Sequence, residues 1–410
     1  MLERVLDDSY APDVRANLTL LATARMTSNA AYRFALPFLA TIASGLGVSL
    51  GRVGVGLAIS ELAALGAPLV GHLIDKLARR TAMTLGLIGV GVGATIAGAS
   101  RSLVPFIVGL SILSITKVSY DVALGAWIAD RVPWARRSRV ISLTETSWAI
   151  GLLVGVSVLG LVVAVSSWHV AYFVIAAVVL VAASSVFRHL PYEAAGTQVH
   201  GRTVVATGHR ESWHVWACTA LSIAALAGSS QFLFVTYGSW LQYHFGFGAT
   251  GLAAVTFGLG ALELISSLAS VRYTDRWGKE RCVVLGSALM VPTAIAVAFG
   301  AQHLWIMLPL FGLFLMGFEL GIISGLPLGA ELTPGSPATG LATLIGSATF
   351  ARAAVAIPAT AWFDNHGLVW PAVAAAVLAA LSGISIRLRR ATATNPERRR
   401  LTSQSDPVGG

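Results

Sequence analysis

"GHLIDKLARRTAMTLG", residues 71–86, returns as "VRYTDRWGKERCVVLG", residues 271–286, with the same spacing and no gap. Asp75 and Asp275, Lys76 and Arg276, Arg79 and Lys279, Leu85 and Leu285, and Gly86 and Gly286 stand in register 200 residues apart; Gly51 and Gly251 extend it upstream. Apolar helices resemble one another by chance, but charged loop residues rarely share a register. The chain therefore reads as a duplicated unit. In each copy the charged stretch lies between two long apolar runs.

Those runs set the class. Of the 410 residues, 55% are hydrophobic and only 11% charged, with a mean hydropathy of +0.74. Soluble domains carry about 25% charge, so this is an integral membrane protein. A bilayer crossing needs about 20 apolar residues. On that measure, spans 1 to 6 lie near 18–44, 50–73, 81–100, 103–129, 140–165 and 168–190. Spans 7 to 12 follow near 214–241, 249–271, 281–300, 303–329, 339–361 and 368–388. The expected fold is all-α, with twelve transmembrane helices in two pseudo-symmetric six-helix bundles, 18–190 and 214–390. Residues 1–17 form an N-terminal segment, 191–213 a polar linker, and 391–410 a tail of disordered composition.

Charge placement gives the orientation. Of the 28 basic residues, Arg52 and Arg101 fall on one side and Arg25, Arg33, Lys117 and Arg352 within spans, leaving 22 on the other side. That excess marks the cytoplasmic face and predicts cytoplasmic N- and C-termini in a multi-pass protein of the plasma (inner) membrane. The loop "ELTPGSPATG" after span 10 has no basic residue and departs from the rule. The acidic residues Glu3, Asp7, Asp8 and Asp13 are unlike the cationic start of a secretory signal, so the first run should remain as a span.

Several classes are excluded. The net charge of +9 would suit nucleic acid, but its clustering at alternate ends of apolar runs assigns it to the bilayer instead. Cys218 and Cys282 make no disulfide framework, and the nine histidines show no ligand spacing. No phosphate-cradling loop and no nucleophile–base arrangement stands out. No metal, cofactor or catalytic residue is expected, and the protein reads as a non-enzyme.

The charged stretch resembles the loop signature of the major facilitator superfamily, G-x-L-x-D-[RK]-x-G-[RK]-[RK]. It stands here as Gly71, Leu73, Asp75, Lys76, Ala78, Arg79 and Arg80, with Ala78 where glycine is usual. The second copy keeps Asp275, Arg276, Gly278 and Lys279, with Val271 for the leading glycine. The resemblance spans residues 14 to 390. It implies two bundles that rock about a midplane site, with the loop aspartates Asp75 and Asp275 latching the cytoplasmic face when the carrier opens outward. It also implies a monomer. A second pattern of the family, G-x-x-x-G-P-x-x-G-G in span 5, is matched by Gly151, Gly155 and Gly160, but Val156 replaces the proline. The basic residue usual in span 4 corresponds to Lys117, with Asp121 where glycine is common.

Nine charges fall inside spans: Arg25, Arg33, Glu61, Lys117, Asp121, Glu145, Glu263, Glu319 and Arg352. A charge at the bilayer centre costs at least about 2.5 kcal/mol, so each needs water or a partner. Arg25, Asn29 and Arg33 recur every four residues and share one helical face. The resemblance places spans 1, 4, 7 and 10 around a cavity with 2, 5, 8 and 11 beside them, and all nine charges lie on that set. Counting about 1.5 Å per residue, Arg33, Lys117 and Glu61 occupy one layer, and Arg25, Asp121 and Glu145 a second. Structural ion pairs are the alternative reading of both layers.

These residues define the expected site. Arg33, Asn29, Lys117, Asp121, Trp148 and Arg352 are cavity candidates. Four cations face five carboxylates, so one carboxylate lacks a partner. Glu263 or Glu319 is the expected proton-coupling group, with Asp121, Glu145 and Glu61 as rivals. Tyr32, Tyr237 and Trp240 are stacking candidates, the last two alternatively interfacial. Span 10 repeats glycine at 317, 321, 325 and 329, for either bending or close packing. The expected function is secondary active transport of a small organic solute, proton-coupled, with efflux favoured because compact members of the family are often exporters. An uptake symporter for an organic anion is the rival, since the cations suit a carboxylate unless Glu61 or Asp121 neutralises them. A non-transporting receptor or assembly partner on the same scaffold is the reading from another class.

Overall fold

The computed structural model describes residues 10–66, 77–132, 134–192, 212–300, 302–332 and 337–393. Among them the regular structure is helical, and ten helices are long and apolar enough to cross a bilayer. They are spans 3 to 12, within 79–99, 103–131, 143–165, 168–189, 213–245, 249–274, 279–300, 304–329, 339–366 and 369–390. Of the expected linker 191–213, residues 193–211 lie outside the described residues, as does most of the tail.

Spans 1 and 2 differ from the simple reading. The run 18–44 is not one helix: Pro12–Arg33 ends in a series of turns, and Leu39–Gly45 resumes beyond them. Pro37 sits in that break, where its missing N–H and fixed φ interrupt a helical ladder. The turns are closed by short-range bonds, Leu36 N–H to the Arg33 carbonyl and Phe38 N–H to that of Ala35. Leu39–Gly45 then turns by 110° into Leu50–Ala64, which opens span 2 and is capped by the Ser49 hydroxyl accepting from the Arg52 N–H. The rest of the run 50–73 lies beyond the described residues.

The repeat is visible in the packing. Span 3 lies against spans 4 and 6, and span 9 likewise against 10 and 12. Span 1 packs on 5 and 6 as span 7 packs on 11 and 12, and span 2 meets 4 as span 8 meets 10. Adding six to each span number converts one half into the other. The seam between the halves obeys the same rule: span 2 lies along span 11, and span 5 along span 8.

The two charged stretches also explain their one difference. Gly278 has φ +87°, a conformation open to glycine, between Ala249–Trp277 and Lys279–Gly300. Ala78, its counterpart, has φ −57° and ψ 137° ahead of Arg79–Ala99, so no glycine is required there.

Each half braces its own charged-loop end. Arg79 Nε donates to Asp130 at 2.9 Å, joining spans 3 and 4. Lys279 Nζ donates to Glu331 at 2.6 Å, joining the equivalent spans 9 and 10. Arg131 reaches Asp13 at 3.0 Å, and Arg389 pairs with Glu280.

At the opposite face the halves meet directly. The Gly51 N–H donates to Asp364 at 2.9 Å, and Thr41 Oγ1 to Gln242 at 3.0 Å. Backbones press together there: Gly54 lies on Thr360 and Ala356, Gly160 on Ala253, Gly238 on Pro37, and Gly260 on Leu153. None of these glycines has room for a Cβ. The halves are drawn together over the membrane depth away from the charged loops.

Span 5 contains a wide turn. Trp134–Ile150 passes into a π-helical segment, Gly151–Val156, before Ser157–Val165. Gly151 lies against Asn29 and the Met26 carbonyl of span 1, and Gly155 against Ala30. The glycine pattern of this span therefore serves a close crossing with span 1.

Span 10 uses its glycines for packing as well. Gly317 and Gly321 meet Gly286 of span 9, and Gly325 meets Ile223 and Val283. Gly329 lies on Gly340, past a break where Leu304–Gly325 gives way to Pro327–Leu332.

Candidate transport site

The face of span 1 marked by Arg25, Asn29 and Arg33 points into the protein: these side chains belong to residues 9%, 0% and 4% exposed. Arg33, which closes the helix before the Pro37 break, crosses the seam. Its Nη1 and Nη2 donate to Glu263 Oε1 and Oε2 of span 8 at 2.7 and 2.8 Å. Nη1 also donates to the Trp148 carbonyl at 3.2 Å, and the guanidinium lies 4.6 Å from the Trp148 ring centre and 5.8 Å from that of Phe234. A paired fork of this kind satisfies both carboxylate oxygens. That is the condition under which a buried ion pair repays its desolvation.

A second pair crosses the seam in the opposite sense. Arg352 of span 11 donates through Nε and Nη2 to Glu61 Oε2 of span 2, at 3.3 and 3.2 Å. The other oxygen of Glu61 accepts the Tyr32 hydroxyl. Arg352 also reaches Thr349 Oγ1 at 3.1 Å. In one pair the cation comes from the first half, in the other from the second.

The remaining charges of the first half form one chain across spans 4, 1 and 5. Lys117 Nζ donates to Asp121 Oδ2 at 2.5 Å, and Arg25 Nε to Asp121 Oδ1 at 3.2 Å. Arg25 Nη1 reaches Glu145 at 2.8 Å, and the Glu145 side chain is the half-exposed end of the series. Lys117 lies 5.1 Å from the Trp148 ring centre and 5.4 Å from that of Tyr32. Asn29 Nδ2 donates to Ser147 Oγ at 3.2 Å.

Each of the four cations has thus found a carboxylate. Among the described residues Glu319 alone of the five carboxylates forms no ion pair with a cation. It is 3% exposed and accepts from Ser267 Oγ at 3.3 Å.

The expected layers are redistributed. Arg25, Asp121 and Glu145 come together. Arg33, Lys117 and Glu61 do gather around the Tyr32 and Trp148 rings, but as members of three separate ion-paired groups. Tyr237 and Trp240 are buried, Tyr237 stacked on Phe311 at 5.4 Å with its hydroxyl on Thr256, and Trp240 against Phe245.

Of the expected latch, Gly71, Asp75 and Lys76 lie outside the described residues, as does the Asp275 side chain. Arg276 is exposed. Arg79 and Lys279 are committed to Asp130 and Glu331. Arg80 lies over the Phe187 and Tyr192 rings at 4.8 and 5.0 Å.

Sequence reasoning passed over Ser147, Ser267, Thr349 and Phe234, which are ordinary helix residues without a pattern. Asp130 and Glu331 did carry a signal. They end equivalent spans one position out of the 200-residue register.

The profile of the Major Facilitator Superfamily matches residues 21–340. The chain belongs to this superfamily. It is a multi-pass helical membrane protein of a superfamily of transporters. A tetracycline resistance protein, class H, of Pasteurella multocida is 22% identical over 269 residues, 62% of this chain and 65% of that protein. The uncharacterised MFS-type transporters YwfA and YceJ of Bacillus subtilis are each 26% identical, YwfA over only 27% of its length and YceJ over 74%. The first two relatives are therefore matched over less than two thirds of their length. Among solved structures, a bacterial homologue of the human lysosomal transporter Spinster, inward-facing and unoccupied, superposes with a TM-score of 0.76 at 12% identity. That match covers 94% of this chain and 99% of the homologue. The human organic anion transporter MFSD10 superposes with a TM-score of 0.65 at 19% identity, covering 92% of this chain and all of that one.

Proposed function

We propose that this superfamily transporter is a proton-coupled exporter of a small organic solute in the plasma membrane, working by alternating access with both termini cytoplasmic. The carrying observation is Glu319. Among the described residues it is the one of five intramembrane carboxylates that forms no ion pair, Arg33 nearby being held by Glu263. A buried ionised carboxylate without a partner is costly, so a proton is its natural counter-charge. Of the earlier candidates, Glu263, Glu61 and Asp121 are engaged by Arg33, Arg352 and Lys117, and Glu145 by Arg25.

Solute binding is assigned to the aromatic and polar group around Trp148, Tyr32 and Asn29. Neutralisation of Arg33, Lys117 and Arg352 argues for a ligand that need not be anionic, and so against the organic-anion uptake reading. The resistance protein among the relatives favours export. The contacts at Gly51 and Thr41, on the face opposite the basic loops, support the reading of a carrier closed to the outside. Asp75 and Asp275 are proposed to secure the cytoplasmic face in the other state. The carrier works as a monomer, since each half closes its own braces and the seam is internal.

The experiment is transport in proteoliposomes with a pH gradient of either sign, using a solute found by substrate-dependent thermal stabilisation. Export coupled to protons requires the solute to move opposite to them, so liposomes with an acidic lumen should accumulate it and those with an alkaline lumen should not. Equal flux under both gradient signs would refute coupling.

A further inference from the structure

The same internal duplication that builds the seam also builds a matched pair of grooves on the outer surface of the helix bundles. One lies between spans 3 and 6 and is lined by Thr81, Thr84, Leu85, Leu180, Ser184 and Phe187 among others. The other lies between spans 9 and 12 and is lined by Glu280, Arg281, Val284, Leu285, Ile386, Arg387 and Arg390. They are the same place in the two halves: Arg281, Val284 and Leu285 stand 200 residues after Thr81, Thr84 and Leu85. Ile386, Arg387 and Arg390 likewise stand 203 residues after Ala183, Ser184 and Phe187.

The difference between them is charge. The first groove is lined by hydroxyl and apolar groups, and Arg80 beside it is held over Phe187 and Tyr192. In the second, Thr81, Ser184 and Phe187 are replaced by three exposed arginines. Its one acid, Glu280, is taken by Arg389. Among the described residues neither Arg281 nor Arg387 has an acidic partner. The arginines lie at the start of span 9 and the end of span 12, where the charged-loop face meets the apolar belt. The floor is apolar, with Leu285 and Val284 leading along the span toward the membrane interior. A headgroup-depth basic rim over an apolar wall matches one kind of occupant, with a phosphate at one end and acyl chains at the other.

We propose that the groove between spans 9 and 12 binds an anionic phospholipid, its phosphate held by Arg281, Arg387 and Arg390 and its chains lying on Val284 and Leu285. The equivalent groove between spans 3 and 6 does not select for charge. The lipid thereby distinguishes two halves that the duplication made alike.

The test uses the purified full-length protein and native mass spectrometry, with phosphatidylglycerol and phosphatidylcholine of the same chains as probes. Wild type should retain phosphatidylglycerol in preference to phosphatidylcholine. The variant Arg281→Thr with Arg387→Ser, which writes the first groove's residues into the second, should bind phosphatidylglycerol roughly 25-fold more weakly, about fivefold per arginine. Its phosphatidylcholine binding should not change. The reverse variant, Thr81→Arg with Ser184→Arg, should gain one further phosphatidylglycerol, and it carries the test where the first variant fails to fold. Equal retention of the two lipids by wild type would overturn the proposal, as would undiminished phosphatidylglycerol binding by the first variant or no gain by the second. Displacement of the lipid by inorganic phosphate at equal concentration would assign the site to the free anion and overturn the lipid reading.

Discussion

Arg33 and Glu263 form a two-pronged ion pair, 2.7 and 2.8 Å, between the first span of one half and the second span of the other. The two positions are 230 residues apart, and both are buried. The pair therefore ties the halves together through a contact that either half, taken alone, would leave as a bare charge at membrane depth.

Removing one partner should cost far more than removing both. Arg33→Ala leaves Glu263 unpaired and should lower stability by about 3–5 kcal/mol, whereas replacing a buried pair by apolar residues is often neutral. The double variant Arg33→Leu with Glu263→Leu should therefore recover most of the loss in thermal unfolding in detergent while remaining inactive in transport. A double variant as unstable as the single would show that the pair does not act as a unit.

Glu319→Gln keeps the hydrogen bond from Ser267 but removes the titratable group. Flux driven by an imposed pH gradient should fall at least tenfold, while exchange of labelled for unlabelled solute, with no net proton movement, persists. Loss of both activities together would place Glu319 in solute binding instead.

Gly54 is seated against Thr360 and Ala356 with no room for a Cβ. Gly54→Val should wedge spans 2 and 11 apart. Single cysteines near Gly51 and Asp364 should then label several times faster with a membrane-impermeant maleimide. Unchanged labelling would mean that this seam is not the closed gate.

Asp75→Asn should shift the balance of states in the other direction, by weakening the cytoplasmic closure. Cysteine accessibility from the charged-loop face should rise and that from the opposite face fall. The same labelling experiment reads both changes, so an unaltered pattern would remove the latch from the mechanism.

The duplication, the membrane class and ten of the crossings were legible because they rest on composition and on charged residues in register. The break in span 1 was less so. Pro37 was visible, but a proline can be tolerated in a transmembrane helix where neighbours satisfy the freed groups. The wide turn at Gly151–Val156 left no pattern of its own, since its glycines also fit plain close packing. Charge count left one of five carboxylates without a cation, yet could not choose between Glu263 and Glu319. That choice depends on which spans meet across the seam, a contact between residues hundreds of positions apart. Pairing of Arg352 with Glu61 was hidden for the same reason.

The two seam pairs are not equivalent when pulled open. Glu61 would keep the Tyr32 hydroxyl from its own half, Arg352 would keep Thr349, and Arg33 would keep the Trp148 carbonyl and ring. Both oxygens of Glu263 are described only on Arg33. Each opening of the seam would therefore leave Glu263 as a second bare carboxylate beside Glu319, and whatever positive group arrives there first, a proton or a cationic part of the cargo, decides whether the halves can come together again.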